Sequence, residues 1–156
     1  MELAFDERNL LIPCVHDVTL EGVKEKFGSF QKSDRRPTLF AKLVEYLDAV
    51  KRAGIGASVI VDGSFVMGGV DEPGDIDLLL VLPPDWDDAA ELNPYQYNVV
   101  SGSSVRKTHG FDILVVKSGS IREKELSDYF QKVRPKWCQK FGWPADTRKG
   151  ILKVTP

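Results

Sequence analysis

The sequence predicts an α+β (α/β) fold, a small mixed β-sheet flanked by helices in a single domain. Three observations carry that expectation. Short apolar runs at 57–61, 75–82 and 111–116 read as strands, and an amphipathic stretch from Asp34 to Gly54 reads as a helix. The two kinds of segment interleave along the chain, which suits a layered sheet and helix arrangement rather than a bundle or an all-β sandwich. At 156 residues and 42% hydrophobic content, there is apolar surface for one core and too little length for two.

Residues 1–33 are expected to form an N-terminal arm and a short helix. Leu10, Leu11 and Ile12 make an apolar run that Pro13 ends. Thr19 can cap a helix running to Phe27, with Gly28 closing it in a left-handed conformation. The strongest helix opens near Asp34 and Pro37. Leu39, Phe40, Leu43, Leu47 and Val50 share one face, and Gly54 stops it. Ala57 to Val61 follows as a buried strand leading into the tight turn Asp62-Gly63-Ser64.

Asp75 to Leu82 is the second strand, apolar on both faces beyond its aspartates and ended by Pro83-Pro84. From Asp85 to His109 the polar chain is expected to carry one or two short helices, with Asp85 as a cap and Pro94 as a break. Phe111 to Val116 is the third strand. Ser120 to Val133 reads as a helix with Leu126, Tyr129, Phe130 and Val133 inward, and Ile151 to Val154 as a last, edge strand. Residues 134–156 are expected to form a tail packed on the domain. In that tail Trp137, Phe141 and Trp143 read as packing residues, or, with Arg134, Lys136 and Lys140, as an RNA contact.

The charge balance of 21 basic against 23 acidic residues gives no overall pull toward nucleic acid or membrane, so an anionic partner would be held locally. Cys14 and Cys138 follow no zinc or dense disulfide spacing and read as reduced thiols. Without a secretory pattern at the N-terminus or a stretch long enough to span a bilayer, the expectation is a soluble, cytoplasmic protein with no membrane partner. His16 and His109 read as surface or turn residues.

The chemistry concentrates around two aspartates. At i and i+2 on a strand, Asp75 and Asp77 project to one face, and two carboxylates beside an apolar strand need a cation or strong donors between them. Magnesium (or manganese) suits such hard oxygen ligands and is commonly completed by phosphates and water. Asp112 would add a third carboxylate if its strand lies beside the Asp75 strand. It reads alternatively as an exposed position or a partner for Arg106 or Lys107. Gly63 allows close approach, and Ser64 offers an amide and a hydroxyl to a phosphate, helped by free amides if a helix begins near Phe65.

Gly63-Ser64-Phe65 followed by Gly74-Asp75-Ile76-Asp77-Leu78-Leu79-Leu80-Val81 resembles the signature of the DNA polymerase beta-like nucleotidyltransferase superfamily, in particular its minimal prokaryotic members. The resemblance covers Val59 to Leu82 directly and reaches Asp112 by position and local sequence. It implies a nucleotidyltransferase-like fold and magnesium-dependent transfer of a nucleoside monophosphate from a nucleoside triphosphate to a hydroxyl on a protein or RNA acceptor. Asp75 and Asp77 would be the paired metal ligands, Asp112 the third acid and metal ligand, and Gly63 with Ser64 the nucleotide contact. It also implies a toxin-antitoxin or defence context, with a cognate toxin or antitoxin as candidate partner. A noncatalytic binding or regulatory protein on the same fold is the alternative. The chain departs from the family pattern in having Val66, Met67 and Gly68, without a basic residue, after the glycine-serine pair, and in placing the charged Asp62 before it.

Overall fold

The computed structural model describes residues 3–28 and 34–156. Positions 1–2 and 29–33 of the expected arm and short helix lie outside the described residues. A five-stranded mixed sheet runs in the order β1 (Val15–Asp17), β5 (Ile151–Val154), β2 (Ser58–Asp62), β3 (Asp77–Leu82), β4 (Asp112–Lys117). The two outer pairings, β1 with β5 and β3 with β4, are parallel, and β2 is antiparallel to both its neighbours. The fold class is the one the sequence predicts.

Around the sheet, six α-helices are found among the described residues. They are α1 (Leu20–Val23), α2 (Arg35–Ala53), α3 (Pro94–Val100), α4 (Gly102–His109), α5 (Ile121–Phe130) and α6 (Pro135–Phe141). The strands β2 and β3 are buried on both faces because alternate residues serve two cores. Val59, Val61, Leu78 and Leu80 meet Leu39, Leu43 and Leu47 of α2, with Val99 and Val105 from α3 and α4. Ile60, Leu79 and Val81 meet Phe130 of α5 and Ile151. Each such fully buried side chain contributes roughly 1.5–3 kcal/mol. No helix among the described residues is long and apolar enough to cross a membrane.

Several elements differ from the sequence expectation. Ile151–Val154 lies inside the sheet between β1 and β2, not at its edge, and the edge strand β1 falls where none was expected. Thr19 does cap α1, its hydroxyl accepting from Gly22 N at 3.0 Å, but the chain continues through a π-helical turn, Lys24–Gly28. Gly28 is not left-handed. A Cβ there would fall 2.9 Å from the Phe40 ring, so close packing explains the glycine. Asp34 flanks α2 without a side-chain cap. Asp85 caps no helix, and Pro94 opens α3 rather than breaking it, because Asn93 and Gln96 form a reciprocal capping box. The helix α5 stops at Phe130, which leaves Val133 to a separate cluster and Tyr129 62% exposed. Cys14 and Cys138 are free thiols.

The tail packs on the domain. Val133 and Cys138 join Leu10, Met67 and Val70 in a third cluster, with Trp137, Phe141 and Trp143 against it. The rings of Trp137, Phe141 and Trp143 stack in sequence at 6.1 and 4.7 Å.

Candidate functional site

The site forms where three strands end together. The last residue of β2, Asp62, stands opposite Asp77, the first of β3, and Asp77 stands opposite Asp112, the first of β4. Residues paired across strands share a face, so three carboxylates line up across the sheet. Asp75 lies two residues before Asp77, in the irregular segment that leads into β3 and not in the strand itself as the sequence suggests.

The turn after β2 shapes the other side. Gly63 has φ 92°, which favours glycine, and a Cβ there would sit 2.9 Å from the Asp75 carbonyl oxygen. A short 3₁₀ turn, Ser64–Val66, follows. Ser64 turns inward to Asp75. Its amide donates to Asp75 Oδ1 at 3.1 Å and its hydroxyl to the same oxygen at 2.7 Å. The serine expected to hold phosphate thus holds a carboxylate here.

Two consecutive arginines of α2 fix the loop between turn and aspartates. Arg36 is fully buried and donates to the carbonyls of Phe27, Phe65, Met67 and Val70 at 3.2, 2.6, 2.7 and 2.7 Å. Burial lowers its pKa to about 10, which leaves it charged at neutral pH. Arg35 donates to the carbonyls of Pro73 and Gly74, both at 2.8 Å, just ahead of Asp75. Helical periodicity gives no hint of either role, because the acceptors lie in a loop that sequence alone does not place.

Each carboxylate faces a basic group. Lys149 donates to Asp62 Oδ1 at 2.6 Å and to the Phe130 carbonyl at 2.8 Å, and both members of this pair are buried. Arg134 bridges the two aspartates, with Nη2 2.8 Å from Asp77 Oδ2 and Nη1 3.5 Å from Asp75 Oδ2. Asp112 is tied to Arg106, with its side chain 65% exposed. The structure therefore brings Asp75, Asp77, Gly63 and Ser64 together and sets Asp112 beside them in register, with its carboxylate turned toward α4.

Electrostatics separates the acids. Burial raises the Asp62 pKa to about 6 although Lys149 pulls the other way. Burial and the charge of Asp75 raise Asp77 against the pull of Arg134. At Asp75 burial acts upward, but the Ser64 hydroxyl and amide and Arg134 outweigh it and hold the group below the ordinary carboxylate range.

A cleft of about 1280 Å³ opens over this row, with Gly63, Ser64, Arg106, Lys107, Arg134 and Trp137 among the residues that line it. A smaller cavity of about 240 Å³ lies toward α2, lined by Arg35, Lys42 and Gly110. Asp75, Asp77, Asp112 and Arg134 line both.

Among the described residues, no three histidine, cysteine or acidic side chains are grouped to hold a metal ion as they stand. The donor chemistry of the aspartate pair nevertheless fits one. Asp75 and Asp77 each turn an Oδ2 oxygen toward a single positive charge, the Arg134 guanidinium, and a pair of converging carboxylate oxygens is the donor type that a hard divalent cation would take. Arg134 was legible in the sequence only as one member of a basic tail, and Asp62 only as an unexplained charge. The signal for both was the need of a clustered acid group for counter-cations.

A family model described as a family of unknown function (DUF6932) matches residues 3–155. No curated protein and no solved structure matches the chain.

Proposed function

Since the chain belongs to the family of unknown function DUF6932, we propose from its site that it is a magnesium-dependent nucleotidyltransferase, moving a nucleoside monophosphate from a nucleoside triphosphate to a hydroxyl on a protein or RNA acceptor. One observation carries the reading. Asp77 stands in register with Asp112 at the ends of adjacent parallel strands, while Asp75 is tied to the Gly63-Ser64 turn in the same cleft. The resemblance of these residues to the polymerase beta-like signature supports it, and points to a toxin-antitoxin or defence setting with a cognate partner.

In this proposal Asp75 and Asp77 hold magnesium or manganese, which when bound would neutralise phosphate charge and acidify an attacking hydroxyl. Gly63 lets the triphosphate approach the backbone of the turn. Asp112 takes the proton of the acceptor hydroxyl as its oxygen bonds to the α-phosphorus. The α–β bridging bond breaks, and pyrophosphate leaves with the electron pair. The cleft exceeds the ~300–1,000 Å³ of usual small-molecule sites, leaving room for nucleotide and acceptor together.

A second reading, a noncatalytic binding or regulatory protein on the same fold, is favoured by the basic partner that each carboxylate already has. Incubation with each labelled nucleoside triphosphate, magnesium or manganese and a cell extract separates the two. The expected result is label on protein or RNA with the native chain, reduced at least about a hundredfold in Asp75→Asn/Asp77→Asn, which stays folded. No transfer, together with no metal-dependent triphosphate binding, leaves the noncatalytic reading standing.

A further inference from the structure

Residues 63–74 form the turn and loop that would face a triphosphate, and they contain no lysine or arginine. The Ser64 amide and hydroxyl are already engaged with Asp75. A triphosphate entering at this turn therefore needs a cation from another part of the chain, because its charge cannot be left unmatched in a partly enclosed cleft.

Arg134 is placed to supply it. Its backbone is anchored on both sides. The preceding residue, Val133, donates to the Thr147 carbonyl at 3.1 Å, and the next, Pro135, begins α6. Its side chain is 55% exposed and lies on the boundary between the two cavities. Among the described residues it alone bridges Asp75 and Asp77. A divalent cation on that pair would compete with the guanidinium for the same Oδ2 oxygens. Displaced from them, the planar fork remains in the cleft that the Gly63-Ser64 turn also lines, where it would match phosphate oxygens.

Resting on the nucleotidyl-transfer reading, we infer that Arg134 is a triphosphate-binding residue that exchanges partners. Without ligand it neutralises Asp75 and Asp77. With a metal ion held by Asp75 and Asp77, Arg134 would release the carboxylates and take the phosphates. Arrival of the anion gives the displaced arginine a new partner, so metal and triphosphate favour each other's binding.

The consequence is a pair of effects of opposite sign. Calorimetry with magnesium chloride alone, and with magnesium tripolyphosphate as a base-independent probe, reads both. Arg134→Gln should bind magnesium alone about two- to fivefold more tightly, since a partly exposed ion pair no longer competes. The same variant should bind magnesium tripolyphosphate about ten- to hundredfold more weakly, having lost a charged, forked contact. Arg134→Lys, which keeps the charge without the fork, should lie between. Asp77→Asn should lose the metal dependence in both titrations.

If Arg134→Gln weakens both ligands, the arginine merely supports the site and the exchange is overturned. The same follows if tripolyphosphate affinity is unchanged while its metal dependence persists. Should native protein and Arg134→Gln alike show no metal-dependent binding, the nucleotidyl-transfer reading itself falls, and this role for Arg134 with it.

Discussion

The pairing of Asp62 with Lys149 shows how much of the site depends on single distant contacts. Both side chains are buried at the base of the cleft, and 87 positions separate them. Removing one member of such a pair leaves the other charge buried without its counter-charge, which typically costs about 3–5 kcal/mol. Lys149→Met should therefore lower the free energy of unfolding by roughly that amount in urea titrations. Lys149→Met/Asp62→Leu should recover most of it, because an apolar pair of similar size restores packing without a stranded charge. Recovery by the double variant would tie the loss to the charge; none would tie it to lost packing. At this scale the local parts of the site were legible. Gly63, Ser64, Asp75 and Asp77 announce themselves by spacing within one short stretch, and the structure brings them together. Their counter-cations did not, since nothing near Lys149 or Arg134 in the chain marks its target. Asp112 illustrates the middle case: the sequence leaves open whether its strand lies beside β3, the structure pairs the two, and its side chain meets Arg106, a partner that the sequence also offers.

Among the elements, α2 and α4 meet through a ring contact with a pH signature. His109, the last residue of α4, packs edge to face on Tyr46 of α2 at a centroid distance of 5.4 Å. The residue is half-buried at the end of the helix, but its Nδ1 is buried and, among the described residues, has no hydrogen-bond partner. Burial lowers its pKa below the ordinary 6.5, with Glu45 opposing. The unfolded chain therefore takes up the proton more readily than the folded one. The stability that His109 confers is complete above about pH 6.5 and is lost as pH falls through the window beneath it. The raised carboxyl of Asp62 works in the opposite sense, since the folded state holds that proton more tightly between 3.8 and about 6. The comparison must therefore be a difference. His109→Phe keeps the ring against Tyr46 without a titrating group, and its stability relative to the native chain should rise as pH is lowered from 7 toward about 5 in matched denaturant titrations. A difference independent of pH would mean that His109 titrates alike in both states. Elements governed by local pattern, such as α2 with its apolar stripe and left-handed Gly54, were readable in advance. In the stretch before α4 the short helices are where the sequence predicts them, but Pro94 alone does not say break or start; Asn93 and Gln96, capping each other, make it a start.

For the molecule as a whole, the decisive feature is the return of the C-terminal strand to the middle of the sheet. The pattern Ile151-Leu152-Lys153-Val154 reads locally as a half-buried edge, yet Ile151, Leu152 and Val154 are all nearly inaccessible. Strand order is a property of distant pairings, and β1, only three residues long and partly polar, gave no sign of an outer strand waiting to cover β5. The consequence concerns cooperativity. Without β5, β1 has no partner in the sheet, and β2 loses its antiparallel neighbour at Val59, Ile60 and Val61, in the centre of both cores. Lys149 and Gly150 enter β5 directly, so the counter-charge of Asp62 is also anchored by that strand. A chain truncated after Gly150 should therefore lose the whole fold, because the missing strand contributes to both of the cores that sandwich the sheet. The expected result is no sigmoidal thermal transition by circular dichroism and collapsed amide dispersion by nuclear magnetic resonance. A truncated chain that still melted cooperatively, with dispersed amides, would show that β2, β3 and β4 with α2 stand alone, and that the C-terminal strand is a cover over the site instead of a part of its foundation.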